Sequence, residues 1–453
     1  MVCISPWRDC GDVLKAWWAI LTLGLRLLTI VAIGCAVARA APGQISGAEA
    51  VYATAPPRLL QIRTLVAGAG QQASYGSAFL VSADGLAITN YHVVSQVALE
   101  PNTYRLEYTA ADGTHGDVRL LGVDLPNDLA VVRIDKHNAP FFTFDRAAIH
   151  GDLPRGERLY AMGNPLELGF TIIEGTYNGQ IEHSYIDRIH FTGALNPGMS
   201  GGPSVTADGA IVGVNVATRR DGQLVSFLVP ARFAEALLQR VRDRNETPDP
   251  RAEIGRQITE SRGTLYKALR ERGFRSVALG PYQGPEPAAA WFNCWAQTNA
   301  GVAPTPRFSM NSANCSSDAS LFIASDLTTG SIQIYHSYVR ATELNEFQFA
   351  TFLAQLSQAR VLGGGSYRKW YTPERCRDDF VGSAATSDHP TLRVMWCARA
   401  YREFEGLYDV ALIAVTQDDG SEALVSRLSM QAVGYDDAMD LGRRFLDAVR
   451  VSK

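Results

Sequence analysis

Short β-type segments separated by tight-turn signals fill residues 59 to 229, and this pattern limits the possible folds more than any other feature of the chain. The clearest segments are 77–81, 86–89, 104–108, 129–134, 158–162, 171–180 and 211–216. Asp-Gly pairs, which favour tight hairpins, stand between such segments at 84–85, 112–113, 208–209 and 221–222. Since no long helical period interrupts the series, we expect an all-β structure of about a dozen strands, a sandwich or two small barrels side by side.

The length and composition of the chain indicate several packed domains. Its 453 residues are enough for roughly two or three domains. Because 46% of the residues are hydrophobic and 19% are charged, most of the chain should fold into packed cores. The formal net charge of −4 gives no reason to expect nucleic acid or an anionic membrane as a partner.

The N-terminus carries the pattern of an export signal. An apolar run over residues 16–37 is interrupted only by Arg26 and is followed by the A-x-A sequence of residues 38–40. This pattern predicts a signal peptide over residues 1–40, a periplasmic or secreted protein, and no stable membrane insertion after cleavage. A retained anchor is the alternative, because the run approaches bilayer-spanning length, although Arg26 argues against it. A lipoprotein signal at Cys35 is a weaker alternative.

Four cysteines lie beyond the leader, and all of them are in the C-terminal part of the chain. An even number in an exported protein predicts two disulfides, with four buried thiols as the alternative. In each of two pairs the second cysteine follows the first by 21 positions, which predicts the bridges Cys294–Cys315 and Cys376–Cys397. No C-x-x-C motif or closely spaced Cys/His pair occurs, and we expect neither a metal site nor a cofactor.

Helical periodicity replaces the β-type pattern after Pro230. The apolar spacing predicts helices over residues 231–244 and 252–272, and a loop follows at 281–287. The predicted organisation is a signal peptide (1–40), an N-terminal linker (41–57), an all-β domain (58–245), a helical linker (246–288) and a C-terminal domain (289–453).

The C-terminal domain contains the same order of features twice. Residues 289–362 and 366–453 each hold a tryptophan, a cysteine pair, two β-type segments joined by a turn, and a final helix. The glycines at 363–365 separate the halves, and they lack the Lys-Ser/Thr of a phosphate-binding loop. We therefore predict an α+β domain with internal duplication and one disulfide in each copy.

Three residues of the all-β segment carry the side chains of nucleophilic catalysis. Ser200 lies in the sequence NPGMSGGP of residues 196–203, where Gly198 and Ser200 can present two backbone N–H groups to an oxyanion. His92 follows one apolar strand and Asp128 directly precedes another. Each alone has a common structural explanation, as a turn serine, a packed histidine or a strand-capping aspartate. Together they point to peptide hydrolysis, because a serine needs an oriented base to take its proton.

Residues 74–233 resemble the trypsin-like serine peptidases of the HtrA (Deg) type, which have the chymotrypsin double-barrel fold. The matching motifs are GSAFLV (76–81), TNYHVV (89–94), NDLA (127–130), GNP (163–165), NPGMSGGP (196–203), IVGVN (211–215) and FLVP (227–230). The resemblance covers a little over a third of the chain, and it implies a chymotrypsin-like double barrel. The disulfide-bridged α+β domain that follows is predicted from the pattern of the C-terminal region alone.

The resemblance implies a role for each matching residue. Ser200 would attack the scissile carbonyl, His92 would act as general base and then as general acid, and Asp128 would orient the imidazole. The N–H groups of Gly198 and Ser200 would form the oxyanion hole. Asp124 is a nearby candidate for the orienting role, but Asp128 occupies the family's position before Leu-Ala.

A substrate pocket and an oligomeric state also follow from the resemblance. The pocket residues would be Ala194, Val214, Asn215, Val216 and Ala217. Since none of them is acidic, we expect cleavage after small or medium apolar residues and not after Lys or Arg. The resemblance implies protein or peptide substrates. Relatives of this type commonly form trimers, and a homo-oligomer is one possibility for this chain, whose residues do not fix the oligomeric state.

Two features depart from the family pattern. Met199 replaces the Asn or Asp that usually precedes the serine, and we expect its side chain to point away from the carbonyl site. No peptide-binding PDZ module is recognisable beyond residue 240, where the cysteine-containing domain stands instead. Two alternatives to a constitutively active peptidase remain, namely a non-proteolytic peptide-binding protein and a latent protease controlled by the C-terminal domain.

Overall fold

A computed structural model of the chain describes residues 47–218, 224–245, 249–357, 368–382, 388–417 and 419–452. The predicted signal peptide, the first part of the N-terminal linker, the Asp221-Gly222 turn and the glycines at 363–365 lie outside these residues. A first helix, α1, covers Gly47–Thr54, and the residues from Val51 onward cluster as one unit.

The first half of the predicted all-β domain forms a closed barrel. Its strands are β1 (Leu59–Val66), β2 (Gln72–Leu80), β3 (Leu86–Thr89), β4 (Tyr104–Ala110), β5 (His115–Asp124) and β6 (Leu129–Ile134), which close in the order β1-β2-β3-β6-β5-β4. Because alternate residues of a strand point to opposite faces, Leu60, Ile62, Ala78 and Leu80 fill the interior.

The second half forms another closed barrel of six strands. These are β7 (Arg158–Gly163), β8 (Thr171–Gln180), β9 (Ile189–Phe191), β10 (Pro203–Val205), β11 (Ile211–Thr218) and β12 (Ser226–Pro230), in the order β10-β11-β12-β9-β8-β7. Leu159, Phe191, Val212 and Leu228 are buried in its core. Two successive six-stranded barrels are consistent with the expected chymotrypsin double-barrel fold.

After α1, one helix lies between β3 and β4 of the first barrel, one lies between the barrels, and the others follow the second barrel. They are α2 (Tyr91–Leu99), α3 (Arg146–His150), α4 (Ala231–Val241), α5 (Pro250–Arg272), α6 (Glu346–Ser357) and α7 (Tyr435–Asp447). Helix α5 begins slightly earlier than predicted, because the Asp249 side chain caps it by accepting the Ala252 N–H. Within the part of the chain that the structure describes, no helix is both long and apolar enough to cross a membrane.

The C-terminal region is rich in strands and forms three sheets. A small sheet contains β13 (Phe274–Leu279), β14 (Tyr282–Pro287) and β24 (Arg450–Val451). The large sheet has the order β15-β16-β19-β23-β22-β21-β20, with β15 (Phe292–Thr298), β16 (Phe308–Ser317), β19 (Ile332–Ala341), β20 (Arg375–Val381), β21 (Leu392–Ala400), β22 (Leu407–Thr416) and β23 (Glu422–Gly434). The third is the two-stranded hairpin of β17 (Leu321–Ala324) and β18 (Leu327–Thr329).

The loop predicted at residues 281–287 is wrong, since this segment contains β14. Gly280 has φ 64° and forms a two-residue turn with Pro281, so that Leu279 pairs directly with Tyr282. The prolines at its ends and middle suggested a loop, but β14 uses them in a strand of a narrow sheet.

One disulfide lies in each edge hairpin of the large sheet. Cys294 joins Cys315 across β15 and β16, and Cys376 joins Cys397 across β20 and β21. These are the two cysteine pairs that the equal spacing of 21 positions predicted. The two halves differ elsewhere, because β17 of the first half leaves the large sheet and pairs only with β18, whereas β22 of the second half stays in it.

Helix α5 packs into two hydrophobic cores along its length. Ile254 and Ile258 pack with residues of the first barrel, whereas Leu265 and Leu269 pack with residues of the large sheet. All four lie on the apolar face predicted from the sequence and are fully buried. The predicted linker helix therefore joins the first barrel to the C-terminal region by continuous packing.

Helix α5 also holds the β17–β18 hairpin at both of its ends. Arg262 is only 1% exposed, and its Nη1 donates to the carbonyls of Ala319 (2.7 Å) and Gly330 (3.0 Å), which flank the hairpin. Gly330 has φ 89°, and a Cβ at this position would lie 2.4 Å from Arg262 Nη1, so that only glycine allows the approach. Leu321 and Ile323 of the hairpin pack into the core of the first barrel.

Replacing Arg262 with methionine should destabilise the protein by about 2–4 kcal/mol, because two buried carbonyls lose a charged donor while the apolar volume is largely kept. Arg256→Met is the matched control on the same helix, since Arg256 is half exposed and pairs with Glu253 and Glu260 at the surface. Such surface pairs contribute about 0.5 kcal/mol. Equal losses for both variants in chemical denaturation would contradict the role of Arg262.

Candidate active site

Asp128 occupies a sharp turn at the start of β6. Its φ of 59° is a left-handed backbone conformation, which Asp and Asn tolerate better than most residues. The Asp128 carbonyl accepts hydrogen bonds from the Tyr91 N–H (3.1 Å) and from Asn90 Nδ2 (2.8 Å). Because β3 and β6 are paired through Thr89 and Ala130, these bonds fix the Asp128 carboxylate beside the start of α2.

His92, which the sequence analysis placed after an apolar strand, is the second residue of α2, and this helix begins shortly after β3. Its backbone N–H donates to Asp128 Oδ1 at 2.9 Å, and its Nδ1 lies 2.7 Å from Asp128 Oδ2. Both oxygens of the Asp128 carboxylate therefore accept hydrogen bonds from His92. When Nδ1 carries the ring proton and donates it to the carboxylate, Nε2 of the neutral imidazole can accept a proton.

The Asp128 carboxylate determines the charge state of His92. Burial lowers the pKa of His92, because the imidazolium form loses contact with water, whereas the charge and the hydrogen bond of Asp128 raise it. The carboxylate prevails, and the pKa of His92 lies above its ordinary value. The His92 side chain is 29% exposed and that of Asp128 14%, so the imidazole is the solvent-facing member of the pair.

Ser200 lines the same cavity as His92. This cavity has a volume of about 710 Å³ and is bordered by Tyr75 and His92 from the first barrel and by Gly198 and Ser200 from the second. The Ser200 hydroxyl donates to the carbonyl of Val216 at 3.2 Å. Within the described residues no hydrogen bond joins Ser200 to His92, so the fold brings Asp128 and His92 into contact and places Ser200 on the same cavity wall.

The backbone around Gly198 is fixed by hydrogen bonds. The Pro197 carbonyl accepts from the Leu166 N–H at 3.0 Å, and the Gly198 carbonyl accepts from Ser77 Oγ at 2.6 Å. The N–H groups of Gly198 and Ser200 have no hydrogen-bond acceptor in the parts of the chain that the structure describes. Two such donors close together in the chain are suited to bind a developing oxyanion.

Ser77 connects the two barrels at this site, a role that the sequence analysis missed. Its N–H donates to the Ser200 carbonyl at 2.8 Å, and its hydroxyl accepts from the Asn164 N–H at 2.9 Å while donating to Gly198. Its own carbonyl accepts from Thr89 Oγ1 at 2.7 Å. Strand β2 of the first barrel therefore holds the serine loop of the second. The signal in the sequence was a hydroxyl residue at a buried position of an apolar strand.

Asn215 was predicted as a pocket residue, and its amide holds the serine loop from the other side. Its side chain is fully buried and lies next to the cavity. Nδ2 donates to the carbonyls of Met162 (2.9 Å) and Met199 (3.3 Å), and Oδ1 accepts from the Ser204 hydroxyl (2.7 Å). The Met199 side chain is buried in the core of the second barrel.

The remaining predicted pocket residues lie at different depths. Val216 lines the cavity together with Leu195, whereas Val214 is fully buried and Ala194 is exposed, and neither borders the cavity. The side chain of Ala217 lies outside the described part of the chain. Apart from His92, the described residues that line the cavity include no acidic or basic side chain.

Asp124, the alternative candidate for orienting His92, is hydrogen-bonded to Asn127 instead. Its carboxylate accepts hydrogen bonds from the backbone N–H and the side-chain amide of Asn127 at 3.0–3.2 Å. Asp128 is the acid in contact with His92.

The barrel region is similar to known serine proteases. The family described as "Trypsin-like peptidase domain" matches residues 76–214. A probable periplasmic serine endoprotease, DegP-like, of Chlamydia muridarum is 32% identical over 174 residues, which are 37% of this chain and 33% of that protein. Serine protease HTRA1B of Danio rerio is 33% identical over 221 residues, or 46% of this chain and 44% of that protein. The chain spans between a third and a half of the length of these curated relatives.

Solved structures match a similar share of the chain. The HtrA-type protease AlgW with a decapeptide has 27% sequence identity and a TM-score of 0.38, with 45% of this chain and 69% of that chain covered. A serine endoprotease from Yersinia pestis has 24% identity and a TM-score of 0.37, with 43% and 66% covered.

Replacing Gly198 with alanine should distort the serine loop. A Cβ there would lie 2.4 Å from the carbonyl oxygen of Asn164, in addition to the strain of φ 95°. Gly209→Ala is the matched control, because Gly209 has φ 79° but no atom within 4 Å of its Cβ position. We expect Gly198→Ala to slow the reaction of Ser200 with a fluorophosphonate by at least about tenfold, since the donors would shift. If Gly209→Ala slows it equally, backbone strain alone explains the effect.

Proposed function

We propose that this chain, in which residues 76–214 form a trypsin-like peptidase domain with HtrA and DegP homologues, is a serine endopeptidase. The observation that carries the proposal is the double hydrogen bond from His92 to the Asp128 carboxylate, on the same cavity as Ser200. The proposed substrates are proteins or peptides, as the names of the homologous serine proteases suggest.

In the proposed reaction Ser200 attacks the carbonyl carbon of the scissile peptide bond. His92 Nε2 takes the hydroxyl proton as the Ser200 Oγ–C bond forms, and Asp128 stabilises the resulting imidazolium. His92 then gives this proton to the leaving amine, which leaves an acyl ester on Ser200. Water, deprotonated by His92, releases the acid and restores the hydroxyl. The Ser200 hydroxyl must first turn from the Val216 carbonyl toward His92, a rotation about one side-chain bond.

The proposed oxyanion hole consists of the N–H groups of Gly198 and Ser200. The Pro197 carbonyl is held by Leu166, and this hydrogen bond turns the Gly198 N–H of the same planar peptide to the opposite side. The Ser77 hydroxyl fixes the next carbonyl along the chain, that of Gly198, by donating to it. Donors that are already oriented need no rearrangement when charge develops on the substrate oxygen.

We propose a preference for small or medium apolar residues before the cleaved bond. Support comes from Leu195 and Val216 at the cavity wall and from the absence of acidic residues among those described as lining it. A basic side chain of the substrate would find no carboxylate partner there, and burying it unpaired is costly.

The proposed location is the cell envelope or the outside of the cell. The apolar leader and the disulfide bonds agree with an oxidising compartment, and one relative is named a probable periplasmic endoprotease. A homotrimer stays a prediction from the family resemblance.

For the C-terminal domain we propose an origin by internal duplication. Each disulfide hairpin forms one edge of the large sheet, and in each half a helix follows the last strand that belongs to this sheet. The displaced β17 is the main difference between the halves, and it is the strand that packs against the first barrel.

The activity can be tested by labelling the protein with a fluorophosphonate and mapping the modified residue. We expect a single label on Ser200, no label on Ser200→Ala, and a loss of peptide hydrolysis of at least about 10⁴-fold in that variant. Ser74→Ala is the matched control, because Ser74 lines the same cavity but its hydroxyl donates to the Val93 carbonyl. A folded protein that binds peptides but never reacts at Ser200 would favour the non-proteolytic alternative.

The pH dependence of hydrolysis tests the pair of His92 and Asp128. Catalysis needs neutral His92, and the raised pKa should place the acid limb of the kcat/KM profile above the ordinary histidine value of about 6.5. Asp128→Asn removes the effect that raises the pKa but keeps burial, so the acid limb should move to lower pH while kcat falls by about 10³–10⁴-fold.

Asp124→Asn is the control for this profile, since Asp124 bonds to Asn127 and not to His92. An acid limb that stays in place in Asp128→Asn, or that moves equally in Asp124→Asn, would contradict the assignment.

A further inference from the structure

The C-terminal domain reaches the proposed active site through the β17–β18 hairpin. The ring of Phe322 lies edge-on to the His92 imidazole, with the ring centroids 6.0 Å apart and the planes at 77°. The same ring lies 6.3 Å from that of Tyr91, with the planes at 69°. Both distances are within the range of favourable edge-to-face contacts. Tyr91 also donates from its hydroxyl to the Ile323 carbonyl at 2.8 Å, so the hairpin holds the first two residues of α2.

Buried polar groups also anchor the hairpin to the rest of the C-terminal region and to α5. Arg262 binds the carbonyls that flank it. The Thr329 hydroxyl at the end of β18 bonds to the Tyr401 hydroxyl, which donates to Asp409 Oδ1 at 2.7 Å. Asp409 is fully buried and is paired with Arg399 at 2.9 Å. Since water does not compete with these bonds, they hold the hairpin in one position.

Phe322 packs at the margin of the first-barrel core, against the rings of Tyr91 and His92. Leu321 and Ile323, its neighbours in β17, are 2% and 0% exposed and supply the packing against the first barrel. Phe322, which stands between them, is only partly buried, and its ring lies against the one imidazole that the proposed reaction uses. The contact therefore places a large ring where it limits the movement of His92.

We propose that Phe322 is a positioning residue for His92, supplied by the C-terminal domain of the same chain. This inference rests on the proposed role of His92 as general base. Asp128 holds Nδ1, and the Phe322 ring prevents the imidazole from swinging out of line while Nε2 exchanges a proton with Ser200. The C-terminal domain is accordingly a part of the active site and not a separate module beside it.

The test compares Phe322→Ala, Phe322→Leu and Phe322→Tyr in the full chain, with Phe347→Ala as the control. Phe347 is an 87% exposed phenyl group of the same domain. Phe322→Ala and Phe322→Leu should lower kcat by about tenfold and change KM by less than about twofold. The reason is that these substitutions alter the position of the general base and leave substrate binding unchanged. Tyrosine keeps the ring and should restore most of kcat. Phe347→Ala should leave both constants unchanged.

A second readout does not depend on activity. The ring-proton NMR signals of His92, assigned with His92→Gln, should shift in Phe322→Ala and stay near the wild-type position in Phe322→Tyr. A wild-type kcat in Phe322→Ala, or a loss of kcat that tyrosine does not restore, overturns the positioning role. Unmoved His92 signals in Phe322→Ala overturn the contact itself. A wild-type protein that neither hydrolyses peptides nor reacts with a fluorophosphonate instead refutes the proposed peptidase.

Discussion

Asp128 stands in a left-handed turn between two paired strands, and both oxygens of its carboxylate are bonded to His92. A carboxylate in a half-buried position is costly unless donors surround it. The fold meets this requirement with the backbone N–H and the ring Nδ1 of one residue. The raised pKa of His92, the orientation of its ring and the direction of Nε2 all follow from this arrangement.

The proposed chemistry needs groups from both barrels, and Ser77 connects the two. It bonds to the serine loop through both its backbone and its side chain, while Asn215 bonds to the same loop from within the second barrel. A loop held on two sides keeps the N–H groups of Gly198 and Ser200 oriented before substrate binds. The C-terminal domain adds a third support, because Phe322 contacts His92 and α5 packs into the cores on both sides.

The sequence predicted best what depends on local pattern. The alternating pattern located seven of the twelve barrel strands, namely β2, β3, β4, β6, β7, β8 and β11, and the apolar face of α5 was identified by its spacing. Contacts between segments that are distant in the sequence were harder to predict. Residues 91 to 99 form a helix that the sequence analysis did not predict. This helix begins where the backbone N–H groups of Tyr91 and His92 bond to Asp128, which lies more than thirty positions away. The role of Phe322 could not be predicted, since it depends on a hairpin from the C-terminal domain that reaches the first barrel.

The most direct test of the account is a crystal structure of the protein after reaction with a fluorophosphonate. The account predicts a bond between Ser200 Oγ and phosphorus, with one phosphoryl oxygen accepting from the N–H groups of Gly198 and Ser200. His92 should remain bonded to Asp128, with the Phe322 ring at its edge. A covalent bond at another residue, or a phosphoryl oxygen turned away from both N–H groups, would contradict it.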